Sequence, residues 1–92
     1  PADEALALGL INRVVPFAAL RAEALDLANK VAANAPLAVA ETLALATAAT
    51  SGDATRLEAL NAEAWERVRT SSDAAEGAQA FTEKRQPRWK GR

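Results

Sequence analysis

The sequence contains no cysteine and no histidine. The first absence excludes a disulfide framework and thiol chemistry. The second removes the commonest general base and the commonest metal ligand. No run approaches the roughly 18 consecutive apolar residues of a transmembrane helix. The opening "PADEALALGL" lacks the basic start of a secretory signal. A cytoplasmic soluble protein is the default expectation. An excess of either sign of charge is missing as well: 11 basic against 12 acidic residues leave a net charge of -1. Bulk charge therefore points to neither a nucleic acid nor a membrane as partner. Large apolar side chains are scarce too. Half of the residues count as hydrophobic, yet roughly a quarter of the chain is alanine. Leu, Ile, Val and Phe together barely exceed the roughly 20% below which chains tend toward disorder. In 92 residues such a composition builds a thin core. The chain is expected to lean on other surfaces, either copies of itself or more of a larger protein.

Helix signals dominate what is present. "ADEALALG" reads as a short helix with acids in its first turn and Gly9 as its stop. "LINRVVP" reads as a short extended connector ahead of a proline. From Phe17 to Ala35 the residues Phe17, Leu20, Ala24, Leu27, Val31 and Ala35 recur at helical spacing. Pro36 suits the first turn of the next helix. The stretch from Leu37 to Thr50 holds one charge, Glu41, so most of its surface is expected to be covered. Asp53 is a plausible N-cap for a fourth helix with Leu57, Leu60, Ala64, Trp65 and Val68 on one face. Asp73 and Glu76 have capping-box spacing, and a last helix is expected to run to about Arg85 before Pro87 stops it. The fold class is all-α, with four or five short helices in one domain over residues 1–92.

A search for chemistry comes back nearly empty. Ser51, Ser71 and Ser72 have no histidine to activate them and fit capping roles. No cluster of metal ligands appears, and the four glycines are too scattered for a phosphate loop. Glu58, Glu63 and Glu66 read as a solvated helix face beside arginines. One region stands out. All twelve acids precede Lys84, whereas Lys84, Arg85, Arg88, Lys90 and Arg92 crowd the last nine residues. Gly77 lies inside the last helix, where it costs about 1 kcal/mol relative to alanine. Either it is a tolerated weakness, or another backbone or a ligand approaches closely there. Phe81 follows one turn later, with Lys84 and Arg85 extending that face. Two readings are open: a core phenylalanine with a solvated tail, or an aromatic ring and a cation arranged for a nucleotide.

Three stretches, "ADEALALGLINRVVP", "LANKVAANAPLAV" and "SSDAAEGAQAFTEKRQPRWKGR", resemble in order and spacing the C-terminal part of the enoyl-CoA hydratase/isomerase (crotonase) family. The resemblance implies a chain taken from a longer polypeptide. The family's oxyanion-hole amides and acid/base glutamates lie upstream, and no family catalytic residue falls on these 92 positions. The 92 residues alone are therefore expected not to be an enzyme, while the parent would be one, most simply a 2-enoyl-CoA hydratase. The implied fold is the C-terminal helical region that covers the active site and builds the trimer, so a homo-oligomer is expected. The resemblance also assigns Phe81 and Lys84 to the adenine and 3′-phosphate region of coenzyme A, bound as a thioester substrate. It implies no separate cofactor, and the residue search gives no metal site. Leu43 and Asn61 depart from residues common in the family, lysine and glutamate respectively, which leaves the subfamily open. A rival expectation from the thin core is a stand-alone helical association module.

Overall fold

The computed structural model describes residues 1–92. It is all-helical, without strands, as the composition predicts. The chain forms two compact units, Pro1–Lys30 and Val31–Arg92.

In the first unit, helix α1 (Ala2–Ala7) carries Asp3 and Glu4 in its first turn, where acids favour the helix dipole. Its end is a Schellman turn. The Gly9 amide donates to the Leu6 carbonyl at 3.0 Å and the Leu10 amide to the Ala5 carbonyl at 2.9 Å. Gly9 occupies the left-handed position with φ 72°, so the predicted stop holds for the predicted reason. Residues 10–16 form neither helix nor strand. The helix expected from Phe17 to Ala35 is shorter at both ends. Phe17–Ala19 tighten into a 3₁₀ turn, and α2 covers Leu20–Ala32. Residues 33–35 leave the helix because a residue preceding proline disfavours the helical region. Arg13 pairs with Glu23 at 3.3 Å, and Lys30 with Asp26 at 2.6 Å.

The second unit stacks three helices in sequence order: α3 (Pro36–Ala49) against α4 (Ala54–Arg69), and α4 against α5 (Ser72–Thr82). Pro36 opens α3, where its missing amide hydrogen is no loss. Asp53 caps α4 as expected, accepting from the Arg56 amide at 2.9 Å. At α5 one expectation holds and one is corrected: Ser71 caps the helix, its Oγ accepting from the Ala74 amide at 3.1 Å, whereas Asp73 and Glu76 form no capping box and their carboxylates are engaged elsewhere. Glu41, the one charge on α3, takes a two-pronged grip from Arg67 on α4 at 2.7 and 2.8 Å. This pairing holds the Glu41 carboxyl below its usual range. Glu63 and Glu66 sit exposed beside Arg67 and Arg69 at 3.6 and 2.5 Å, the solvated face that the sequence suggests.

The core is as thin as the composition implies. Ala64 and Ala80, at 3% and 2% exposure, are the buried apolar residues. Phe17, Leu43, Trp65 and Phe81 are all mostly exposed. The apolar stripes are thus present at the predicted spacing, but this chain does not cover them. It exposes 7415 Å², against about 5,100 Å² expected for a folded monomer of its mass.

Candidate functional site

The polar structure of the second unit concentrates around α5 and the ten residues that follow it. The helix stops at Thr82, not near Arg85. It ends in the same motif as α1. The Lys84 amide donates to the Phe81 carbonyl at 3.3 Å and the Arg85 amide to the Ala80 carbonyl at 3.1 Å. These are the two bonds of a Schellman turn, which needs a left-handed residue between them. That residue is Lys84, with φ 53°, the one non-glycine residue in the chain at positive φ. For a side chain with a Cβ this conformation costs about 1–2 kcal/mol.

Beyond the turn the chain runs back along α5 and is gripped by two carboxylates. Glu76 accepts from the Arg85 guanidinium at 2.7 and 3.2 Å and from the Arg88 backbone amide at 2.7 Å. Arg85, followed by the Arg88 amide, pulls the Glu76 carboxyl down to about 2. Arg85 also donates to Glu83 at 2.5 Å and is itself pushed up by its acidic partners. Gln79 and then Arg85 lower the Glu83 carboxyl. Asp73, only 2% exposed, accepts from the Lys90 and Gly91 amides at 2.7 and 2.8 Å. Ser72 Oγ and the Asp73 amide close the far end on the Arg92 carbonyl. Trp89 lies across Gly77: a Cβ built on that glycine would stand 3.3 Å from Trp89 Cη2. Its indole donates to the Ala33 carbonyl at 2.8 Å.

This geometry decides several expectations. Gly77 does mark a close approach, but the approaching group is an indole from the same unit. Phe81 is not core here; its ring is 87% exposed. The tail is not a loose solvated end, because its backbone is docked. Phe81 and Lys84 stand on one turn, joined through the backbone, with both side chains exposed. Lys84 makes no ion pair, while Arg85, its neighbour, is consumed by Glu76 and Glu83. Sequence reasoning missed the roles of Asp73, Glu76 and Trp89. A glycine inside a helix, twelve residues ahead of a tryptophan that stands two positions past a proline, was the available signal.

An exposed ring and an unpaired ammonium thus stand on one turn of an all-helical scaffold. The whole chain, residues 1–92, matches the family model for enoyl-CoA hydratase/isomerase, and the protein belongs to that family. It is 46% identical over 91 residues to a provisionally named enoyl-CoA hydratase of Thermus thermophilus, covering 96% of this chain and 35% of the relative. It is 39% identical over 95 residues to a carnitinyl-CoA dehydratase of Citrobacter koseri, covering 99% of this chain and 36% of that protein. Among solved structures, an enoyl-CoA hydratase from Bacillus anthracis superposes with a TM-score of 0.93 at 36% identity, covering 99% of this chain and 35% of that one. The chain thus spans about a third of the length of these relatives, and the resemblance seen in its sequence is to their C-terminal segment.

Proposed function

We propose that residues 1–92 serve as the C-terminal helical domain of an acyl-CoA enzyme, most simply a cytoplasmic 2-enoyl-CoA hydratase. In this reading the chain supplies subunit contacts and the Phe81/Lys84 edge of the coenzyme A site, and no catalytic group. Amide donors and glutamates for enolate stabilisation and proton transfer belong to other parts of the enzyme. The observation that carries the reading is the pair itself: an exposed aromatic ring and an unpaired ammonium on one turn. A ring of this kind can stack on a purine, and the lysine can meet a phosphate as a point charge. Replacing both, Phe81→Ala with Lys84→Ala, in the full-length gene product tests it. KM for the CoA ester is expected to rise more than kcat falls. An unchanged KM removes the site.

The exposed apolar faces favour a second reading, a helical self-association module without enzymatic role. The groove of about 580 Å³ between α3 and α4, lined by Leu45, Ala46, Leu57 and Asn61 among others, belongs to those faces. Light scattering with a CoA titration separates the two. A stable oligomer of 9.6 kDa chains with no affinity for CoA favours the module; CoA binding removes it.

A further inference from the structure

Lys84 holds a conformation that lysine does not choose, and what holds it there is visible. The left-handed residue is clamped between Glu83, the last residue capping α5, and Arg85. Beyond the bond from its guanidinium to nearby Glu83, Arg85 is fixed to more distant residues of α5 at both its amide and its guanidinium. Its amide closes the Schellman turn on Ala80 at 3.1 Å, and its guanidinium spans back to Glu76 at 2.7 and 3.2 Å. Glu76 fixes the following strand of chain as well, through the Arg88 amide at 2.7 Å. The two turn bonds alone compete with continued right-handed helix, which lysine favours. The Glu76 grip requires the chain to double back, and doubling back requires the left-handed turn.

We propose that Glu76 and Arg85 are positioning residues for the coenzyme A site: their pairing locks the turn that aims the Lys84 ammonium at the 3′-phosphate. The proposal rests on the CoA reading above. It divides the site into two halves with different dependences. Phe81 belongs to the helix and keeps its place whether or not the turn is locked. Lys84 keeps its place only while Glu76 holds Arg85. Loosening the clamp should therefore damage phosphate recognition and spare stacking on the adenine.

The sign of the effect separates positioning from simple electrostatics. Glu76→Gln removes a negative charge near an anion site. Coulomb's law alone predicts tighter binding of a phosphate. Release of Arg85 toward the ligand predicts the same. The clamp predicts weaker binding. The experiment measures affinities for CoA and 3′-dephospho-CoA in the full-length gene product, in the native protein and in Lys84→Ala, Glu76→Gln, Arg85→Lys and Asp73→Asn. Lys84→Ala is expected to cut the preference for CoA over its dephospho form about tenfold. Glu76→Gln is expected to cut it about fivefold while leaving dephospho-CoA affinity unchanged. Arg85→Lys keeps the charge but not the fork, and should fall between Glu76→Gln and the native protein. Asp73→Asn loosens the tail only at Lys90 and Gly91, and should lower the melting temperature without changing the preference.

A Glu76→Gln protein with native or increased preference for CoA overturns the proposal and leaves the CoA reading intact, provided that Lys84→Ala shows its loss. An equal loss in Asp73→Asn also overturns it, since general loosening of the tail would then suffice. A Lys84→Ala protein with native preference removes the CoA reading, and the clamp proposal with it.

Discussion

Helices α1 and α5 end in the same turn built from different residues. Both close with the paired amide-to-carbonyl bonds of a Schellman motif, three residues and five residues back. At the end of α1 the left-handed position is Gly9, φ 72°, and nothing within 4 Å would meet a Cβ there. At the end of α5 it is Lys84, φ 53°. Glycine takes this conformation without steric cost; lysine does not. The first turn is specified by its own residue. The second is specified from a distance, by Glu76 and the chain it holds. A stop that uses glycine can only end a helix, whereas one that uses lysine ends the helix and presents a cation.

That contrast can be tested in descending order of effect. Removing the presented groups comes first: Phe81→Ala with Lys84→Ala should raise KM for a CoA ester about tenfold or more, with kcat changed much less. Exchanging the turn residues comes next. Gly9→Ala should destabilise by about 1 kcal/mol, whereas Lys84→Gly should stabilise by up to about 1 kcal/mol while weakening CoA binding. Denaturant midpoints of the two proteins read this directly, and equal signs would break the comparison. A third effect depends on pH. Arg85 and the Arg88 amide hold Glu76 at about 2, below the roughly 4.3 of an unfolded glutamate. A carboxyl depressed on folding stabilises fully above its unfolded value and loses that contribution as pH falls toward its folded one. The native protein should therefore lose melting temperature between about pH 4.5 and 2 more steeply than Glu76→Gln, which has nothing there to protonate. Gly77→Ala should matter least. Its gain of about 1 kcal/mol in helix propensity is set against pushing back Trp89, whose ring would stand 3.3 Å from the new Cβ. A net change within about 0.5 kcal/mol is expected.

The two turns also show what a sequence reveals. Gly9 after a short acidic helix, Asp53 ahead of a leucine stripe and Pro36 at a helix start are local signals, and each element formed where its signal stood. Asp73 and Glu76 carry a local signal as well, the spacing of a capping box, and it misled. Their partners lie 9 to 18 residues away along the chain, and no short-range pattern encodes such pairings. For the same reason α5 ends three residues earlier than Arg85: the tail's return to Glu76 and Asp73 decides where the helix must stop. Phe81 and Lys84 entered as site candidates through family resemblance. The turn that carries Lys84 was not legible, because a left-handed lysine leaves no mark in composition or periodicity. The apolar stripes were legible in their spacing, but not their exposure, since periodicity shows which residues share a face and not what packs against it.

The chain has two tryptophans, and the structure places them in opposite circumstances. Trp89 is pressed against Gly77 with its indole N–H bonded to Ala33, while Trp65 stands 66% exposed on α4. Their fluorescence should therefore report different events. Emission from Trp89 follows the docking of the tail, and emission from Trp65 shifts to the blue only when another molecule covers α4. A pair of single Trp→Phe proteins would give two separate optical probes without an added label, one for the docked tail and one for assembly.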